Sequence, residues 1–391
     1  MYQPETPDPA APGATQGDAS ASPRARRVTI DDLARRLGLT KGTVSRALNG
    51  YSDISHRTRR RVAQAAEEMG YRPLAQAQSI RTGRTRSLGL VLERGGHDDQ
   101  RPFLAEFLEG LTLSASEAGW TLTVATAGPG DEMTATLGRL IDERKADGFV
   151  LPRTRTSDPR IALLRAAGVP FVLYGRTGDP AGCAWYDVEG EAAMREAVLR
   201  LAAAGHRRVG YIGGGDFHYA GLRRAGAGSG VAEAGLPADP ELFAEAALTR
   251  EGGREAALRL WSLPQPPTAL VCAVDMAALG VYRAAAELGL SVGRDVSVIS
   301  YDGIPEAAHA DPPLTTYHVE TRAAGGRLAE LLIALCRGAA PETLRETVRA
   351  RLRPGGSDGA PRLTPDELAA RVAQARTGHR RSSTKWEEQP R

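Results

Sequence analysis

The chain has 391 residues, of which 42% are hydrophobic and 25% charged, a composition ordinary for a soluble folded protein of two or three domains. No segment approaches the run of about 20 apolar residues that a membrane-spanning helix needs, and the N-terminal sequence lacks the pattern of a secretion signal. Cys183, Cys272 and Cys336 are odd in number and far apart, which fits reduced thiols in the cytoplasm better than a disulfide framework. These features argue against a membrane-spanning or disulfide-rich secreted protein.

Basic residues concentrate near the N-terminus, although the net charge of the whole chain is only +3. Residues 1–27, rich in Pro, Ala, Gly and Ser, are predicted to form a disordered leader. Residues 24–86 contain fifteen Lys and Arg against five Asp and Glu, a net charge of +10. A basic module before a mildly acidic body is typical of a nucleic-acid-binding domain, but a solvated basic face explains the charge equally well.

Two short amphipathic helices joined by a glycine turn are predicted in this basic segment. Thr29 has the position of a helix cap, apolar residues follow it at helical spacing, and Gly38 ends the helix. Thr40 can cap a second helix from Lys41 to Leu48, and a third helix begins after Ser55. This order predicts a helix-turn-helix. A three-helix bundle with exposed basic residues and no DNA role is the alternative.

In a helix-turn-helix the second helix lies in the major groove, where its first residues reach the base edges. Lys41 and Arg46 carry donors suited to guanine, and Gly42 lets the backbone approach DNA closely. Short polar side chains near this helix, and Arg57 in the third helix, suit phosphate oxygens, which position the protein without specifying the sequence. The candidate DNA-contacting residues of this domain are Thr29, Thr40, Lys41, Gly42, Thr43, Ser45, Arg46, Asn49 and Arg57.

The run VTIDDLARRLGLTKGTVSRALNG, with its TVSRALN core, and the run DISHRTRRRVAQAAEEMGYRP that follows it resemble the DNA-binding domain of the lactose-repressor (LacI/GalR) family. The resemblance continues to about residue 352. It implies that residues 74–86 form a hinge that folds into a short helix on operator DNA. It also implies that Ile80 takes the place of a leucine wedged between base steps, and such a wedge kinks the duplex. A contact of Ile80 with the body of the protein is the alternative.

The rest of the chain alternates between apolar runs and amphipathic stretches, which predicts βαβ units and parallel sheets with helices on both faces. Strands are predicted at 88–92, 122–125, 149–151, 171–174, 209–212, 269–274 and 296–301. Helices are predicted at 103–118, 134–143, 161–167, 191–204, 252–261 and 276–288. The resemblance implies two doubly wound lobes over a cleft, as in periplasmic sugar-binding proteins, with the chain crossing between them near 184–188, 312–318 and 338–342. The predicted fold is therefore an all-α helix-turn-helix head followed by an α/β, periplasmic-binding-protein-like body.

Charged residues that follow the predicted strands are the candidate effector ligands, because open α/β sheets bind ligands beyond the carboxyl ends of their strands. Carboxylates and guanidinium groups beside an aromatic ring suit a polyhydroxyl ligand such as a sugar. By resemblance, Arg223 and Asp302 match positions with which the family holds sugar hydroxyls. Capping of the next helix is the alternative role for Asp275, and packing in the core is the alternative for Trp185. The candidate effector-binding residues are Arg153, Arg176, Trp185, Asp187, Arg223, Asp275 and Asp302.

Two departures from the family pattern leave a non-sugar effector as an alternative. Val274 stands before Asp275 where the family usually has asparagine, and the helix expected after Ile212 is rich in glycine, which costs about 0.5–1 kcal/mol per residue in a helix interior. In the C-terminal tail, the amphipathic stretch Thr364–Ala375 fits either a partner-binding helix or a frayed terminus.

We therefore predict a cytoplasmic, homodimeric repressor of sugar uptake or catabolism genes, which binds double-stranded operator DNA and is released from it by a small effector. A sugar-binding transport protein is the alternative that the body permits and the basic N-terminal domain disfavours. An enzyme is not expected, because no phosphate loop, nucleophile elbow or metal-ligand spacing is present, and no cofactor or metal is predicted. The predicted domains are 1–27, the leader; 28–73, the helix-turn-helix; 74–86, the hinge; 87–352, the effector-binding and dimerisation domain; and 353–391, the tail.

Overall fold

The computed structural model of the protein describes residues 28–72, 83–94 and 101–387. The chain forms two compact units, Met1–Gly83 and Arg84–Arg391. The predicted leader and most of the predicted hinge, Ile80 included, lie outside the described residues.

The described part of the first unit contains three helices, α1 (Ile30–Leu37), α2 (Lys41–Leu48) and α3 (His56–Glu68). Thr29 and Asp32 form a reciprocal capping box at the start of α1, and Gly38 ends α1 with a left-handed φ of 63°. The hydroxyls of Thr40 and Ser55 accept backbone N–H groups at the starts of α2 and α3. One apolar core joins the helices, built mainly from Leu33, Ala34, Leu37, Val44, Ala47, Val62, Ala65 and Ala66. The helix-turn-helix predicted from the sequence is therefore present.

The second unit consists of two lobes, each built on a six-stranded sheet. The first sheet contains β1 (Ser87–Glu93), β2 (Thr121–Ala127), β3 (Gly148–Leu151), β4 (Phe171–Tyr174), β5 (Ala184–Val188) and β11 (Arg345–Val348). Its strand order is β11-β5-β4-β3-β1-β2. The second sheet contains β6 (Val209–Gly213), β7 (Phe243–Glu245), β8 (Ala269–Cys272), β9 (Ser297–Asp302), β10 (Thr315–His318) and β12 (Arg351–Arg353). Its order is β12-β10-β9-β8-β6-β7, and its β10–β12 pair is antiparallel whereas the other pairs in both sheets are parallel.

Helices flank both sheets, as a parallel sheet that is buried on both faces requires. The first lobe carries α4 (Arg101–Glu117), α5 (Asp131–Asp142), α6 (Pro159–Ala167) and α12 (Thr321–Cys336). The second lobe carries α7 (Gly190–Ala203), α8 (His218–Glu233), α9 (Arg250–Leu260), α10 (Asp275–Glu287), the short α11 (Pro305–Ala308) and α13 (Pro365–Glu387). The α/β body of two doubly wound lobes expected from the sequence is confirmed.

The glycine-rich segment after Ile212 forms the complete helix α8, so its expected weakness does not prevent the helix. Gly226 is buried against α7, where an added Cβ would lie 2.1 Å from the carbonyl oxygen of Glu191. Gly230 faces the same helix, because its added Cβ would lie 2.8 Å from the carbonyl oxygen of Arg195. Glycine therefore permits a close approach of two helices, and this packing offsets its low helix propensity.

The chain crosses between the lobes three times, each time later than expected. The first crossing lies at 188–190, between β5 and α7, and the second at 318–321, between β10 and α12. The third was predicted at 338–342 and lies instead at 348–351. The prediction was wrong because β11 still pairs with β5 of the first sheet before β12 joins the second.

The C-terminal tail packs on the second lobe. Ser357 is fully buried; its hydroxyl donates to the Val298 carbonyl at 2.6 Å and accepts the Thr315 N–H at 2.8 Å. Farther on, Leu368 and Val372 of α13 are buried in the core that α9 and α10 share. The amphipathic stretch for which the sequence left two interpretations is thus an intramolecular helix, whose apolar face is covered by this same chain.

Candidate functional site

The residues predicted to meet DNA lie mostly on the outer side of α2. Val44 and Ala47 face the core, whereas Lys41, Gly42 and Arg46 are exposed. The Lys41 ammonium lies 3.0 Å from the Asp31 carboxylate, an exposed pair that water and salt screen and that a phosphate can therefore displace. The outer side of α2 is thus free of core packing, as insertion into a groove requires.

Arg46 is held by two neighbours in the loop after α2. Its guanidinium lies 2.5 Å from the Asp53 carboxylate and 5.1 Å from the centre of the Tyr51 ring. The amide of Asn49 donates to the Ser45 carbonyl at 2.6 Å. These contacts orient two of the candidate side chains in the absence of DNA.

Two candidate threonines have a structural role at the helix starts. Thr29 belongs to the capping box of α1, and the hydroxyl of Thr40 accepts the Thr43 N–H at 3.1 Å. The hydroxyls of Thr40 and Thr43 are also 2.8 Å apart, so they bond to each other. Arg57 is exposed in the first turn of α3. Helix capping accounts for the conformation of both threonines, and the Thr29 hydroxyl also donates to the Asp32 carboxylate at 2.7 Å.

A cleft of about 730 Å³ lies between the two lobes, a volume within the range of small-molecule sites. Four candidate effector residues line it: Arg153 and Asp187 from the first lobe, and Arg223 and Asp302 from the second. Side chains that the sequence analysis did not single out as ligands also line it, among them Phe103, Tyr174, Tyr219, Tyr301, His318, Glu320 and Arg322. The sequence analysis therefore predicted these four charged residues, which we name the charged centre of the cleft, but it missed most of the aromatic residues that line the cleft.

Arg223 is fixed by a carbonyl group and two aromatic rings. Its Nη1 donates to the Ala273 carbonyl at 2.7 Å, and its guanidinium lies 3.8 Å from the centre of the Tyr301 ring and 4.7 Å from that of Tyr219. The Asp302 carboxylate is 3.8 Å from Arg223 Nη2. Burial raises the pKa of Asp302 to about 7, and Arg223 acts in the opposite direction. A carboxylate and a guanidinium thus stand side by side with hydrogen-bonding capacity left over for a ligand.

Asp187 and Arg176 form the polar face of the first lobe. The Arg176 Nε donates to the Asp187 carboxylate at 2.5 Å, and the same guanidinium pairs with Glu191 at the start of α7. Burial raises the pKa of Asp187, and the attraction of Arg176 opposes that shift. Asp187 lines the cleft. Arg176 does not line the cleft itself but pairs with Asp187, which does.

Trp185 and Asp275 are not among the residues that line the cleft. The Trp185 ring packs beneath the Arg345 guanidinium, 4.4 Å from the ring centre. The Asp275 carboxylate is fully buried and accepts the N–H groups of Gly303 and Ile304, at 2.7 and 3.0 Å, and the Thr316 hydroxyl at 2.7 Å. Asp275 therefore holds the loop that follows β9, next to Asp302.

The loop after β3 in the first lobe contacts the loop after β6 in the second, at the side of the cleft where Arg153 lies. The His218 N–H donates to the Thr154 carbonyl at 2.9 Å, and the Arg155 Nε lies 2.7 Å from the Asp216 carboxylate. The Arg153 guanidinium lies 4.2 Å from the centre of the Phe217 ring. We name this set of contacts the interlobe clasp. It joins the two walls of the cleft.

Comparison with known proteins gives the family. Residues 29–73 match the bacterial regulatory proteins of the lacI family, and residues 198–357 match the periplasmic binding protein-like domain. The chain is 38% identical over 348 residues to the HTH-type transcriptional regulator AglR of Rhizobium meliloti (strain 1021), covering 86% of this chain and 96% of that relative. The chain belongs to the LacI family. It is thus a DNA-binding transcriptional regulator, and the relatives that place it in the family are regulators rather than enzymes.

Solved structures of LacI-family members have the same architecture. The transcriptional regulator CelR in complex with cellobiose is 29% identical, with a TM-score of 0.65, and the match covers 85% of this chain and all of that chain. The lac repressor dimer bound to operator and the anti-inducer ONPF is 24% identical, with a TM-score of 0.72 over 86% of this chain, and it supports the fold. Within the described residues of this regulator, no helix is both long and apolar enough to cross a membrane.

Proposed function

We propose that this regulator represses genes of sugar uptake or catabolism and that a sugar bound in the cleft releases it from its operator. The observation that carries the proposal is the charged centre of the cleft, where Arg223 and Asp302 of one lobe face Arg153 and Asp187 of the other. Carboxylates and guanidinium groups bind vicinal hydroxyls through paired hydrogen bonds, and the neighbouring aromatic rings give an apolar surface for the C–H face of a sugar. The solved complex of CelR with cellobiose is consistent with such a ligand.

For the DNA side, we propose that α2 enters the major groove. Lys41 and Arg46 contact base edges there, Gly42 allows the backbone to approach, and Asn49 and Arg57 contact phosphates. The remaining polar candidates add phosphate contacts at the helix starts, namely Thr29, Thr40, Thr43 and Ser45. We further propose that Ile80 inserts between base steps.

We propose that the working form is a homodimer in the cytoplasm, where its operator is. Two α2 helices related by a twofold axis suit two half-sites of a near-palindromic operator. Two of the exposed large apolar residues of the first lobe are Leu113 on α4 and Val124 on the edge strand β2, with exposed fractions of 55% and 44%. Exposed apolar side chains on an edge strand and its flanking helix are candidates for the subunit contact.

The release step requires that the effector bind one arrangement of the lobes more tightly than another. A ligand that bridges Arg223 and Asp302 to Arg153 and Asp187 meets this condition, because it gains all of its contacts only when the two walls are together. Reciprocity then requires operator DNA to weaken effector binding by the same factor.

The test is fluorescence anisotropy of the full-length regulator on labelled DNA from its own upstream region, with and without a panel of mono- and disaccharides. The proposal expects specific binding that one or more sugars reverse, and it expects Asp302→Ala to bind the same DNA but ignore the sugars. Specific binding that no sugar alters in the wild type would contradict the sugar effector. Binding no tighter than to random DNA at low salt would contradict the operator.

A further inference from the structure

One wall of the cleft in the second lobe is apolar. Leu248, Val274, Met276 and Ile304 all line the cleft; Val274 and Met276 belong to the apolar core of that lobe, and Leu248 and Ile304 pack against that core. They come from the segments that follow three strands of the second sheet, β7, β8 and β9. We name these four residues the apolar shelf.

Two consecutive residues create the contrast between the apolar shelf and the charged centre. Val274 is the residue before the first turn of α10, lines the cleft and makes no side-chain cap. The carboxylate of the next residue, Asp275, points into the protein and accepts the N–H of Ile304 at 3.0 Å. The buried Asp275 carboxylate therefore fixes the loop that contains Ile304, a residue of the apolar shelf. Because this carboxylate points into the protein, it is not available to a ligand in the cleft.

The wall that the first lobe contributes to the cleft includes two aromatic residues. Phe103 and Tyr174 line it, and their rings are stacked with centres 5.9 Å apart. A ligand unit between these rings and the apolar shelf therefore has apolar surface on both sides. A hydroxyl pointing at Val274 or Met276 would lose its water without gaining a partner, which is unfavourable.

We propose that the effector is a glycoside of at least two units, with its first ring at the charged centre and a second ring lying with an apolar face on the apolar shelf. This inference rests on the proposed sugar-responsive function. Two kinds of ligand supply such a second ring, a second sugar that turns its C–H face to the shelf and an aromatic aglycone. In both, a glycosidic bond joins this ring to the first one. Val274 selects for that ring, because it provides apolar contact where a polar side chain would hydrogen-bond a hydroxyl. The volume of about 730 Å³ exceeds the needs of a single sugar ring.

The experiment is isothermal titration of the full-length regulator with a matched panel. For each of α-glucose, β-glucose, α-galactose and β-galactose, the panel contains the methyl glycoside, the p-nitrophenyl glycoside and one disaccharide: maltose, cellobiose, melibiose or lactose. For the sugar that binds, we expect a ring-bearing member to bind at least tenfold more tightly than the methyl glycoside. Preference for the disaccharide identifies a second sugar as the occupant, and preference for the p-nitrophenyl member identifies an aromatic aglycone.

Equal affinity of the methyl and ring-bearing members would overturn this inference and leave the sugar function intact. Failure of every member to bind would contradict both the inference and the proposed function. Two matched variants test the role of the shelf, Val274→Thr and Val188→Thr, because both valines line the cleft and only Val274 belongs to the shelf. Val274→Thr is expected to reduce the preference for the second ring at least threefold, and Val188→Thr to leave it unchanged. The same response in both variants would exclude a selecting role for Val274.

Discussion

The affinity of the cleft for its effector is expected to fall as the pH drops below about 7. Burial and the nearby Asp275 carboxylate raise the pKa of Asp302 to about 7, although Arg223 and Arg153 act in the opposite direction. In the free regulator this carboxyl group therefore gains a proton close to neutral pH. Sugar hydroxyls that donate to the carboxylate favour its ionised form, so binding is expected to lower its pKa and release a proton.

The size of this pH effect follows from the pKa of Asp302 in the free regulator. If the bound sugar lowers the pKa of Asp302 below 5.5, the ligand must first displace a proton from nearly every molecule at pH 5.5, and from few molecules at pH 8. The affinity then differs by at most about 30-fold between these two pH values, or ~2 kcal/mol, because each pH unit below the pKa contributes up to tenfold.

The assay is isothermal titration at pH 5.5, 6.5, 7.5 and 8, repeated in two buffers of different ionisation enthalpy so that proton release is measured directly. Asp302→Asn is expected to bind more weakly at pH 8 and to lose the pH dependence. His318→Gln is the control at another polar residue that lines the cleft. An affinity that stays constant from pH 5.5 to 8, or a pH dependence that persists in Asp302→Asn, would refute the assignment to Asp302.

Three further predictions concern other parts of the molecule. Arg46→Ala is expected to weaken operator binding by ~1–3 kcal/mol and binding to random DNA far less, whereas Arg57→Ala is expected to weaken both alike. Anisotropy titrations on the two DNAs measure these losses, and equal losses for Arg46→Ala would contradict base readout. Leu368→Ala is expected to lower the free energy of unfolding by about 2–5 kcal/mol in urea titrations, because the fully buried side chain leaves a cavity; a neutral Leu368→Ala would mean that α13 is not docked in solution. Asp216→Ala removes a partly exposed ion pair of the interlobe clasp and is expected to weaken effector binding up to about fivefold. Calorimetry measures this affinity, and an unchanged value would show that the clasp does not stabilise the arrangement that binds the ligand.

The sequence predicted seven of the twelve strands that the described residues contain, and it missed the interior strands β5 and β10 and the edge strands β7, β11 and β12. All seven predicted strands are present; six are buried on both faces and read as continuous apolar runs, and the seventh, β2, is a partly exposed edge strand. In contrast, β7 and β12 have three residues each, and both lie at an edge of the second sheet. Their signal is weak because exposed edges favour short strands and charged residues such as Arg351 and Arg353. The third crossing was misplaced because β11 was not recognised as a strand.

The candidate site was predictable where a charged residue directly follows a buried strand. Asp302 ends β9, a predicted strand, so it could be placed at the rim of a sheet. Asp187 lies near the end of β5, which was predicted as a crossing between the lobes and not as a strand. Asp275 also follows a strand, yet its carboxylate is fully buried, because the loop after β9 offers it backbone N–H donors. Tyr219 could not be predicted as a cleft residue, because its position depends on how α8 packs on α7. Position along the chain thus identifies the rim, whereas the direction of each side chain depends on tertiary packing.

Arg153 links the cleft to the interlobe clasp, and this gives the proposed release mechanism a specific physical basis. The residue has a left-handed φ of 53°, an uncommon conformation for a residue with a side chain. Its guanidinium lines the cleft and also lies over the Phe217 ring of the opposite lobe. A ligand that binds this guanidinium therefore acts on a group that already joins the lobes, so occupancy and lobe arrangement cannot change independently. Such a shared group provides the differential affinity without which ligand binding cannot shift the equilibrium between two arrangements. If Arg153→Lys retained full effector affinity and full operator release, the coupling would have to pass through Arg223 and Asp302 instead.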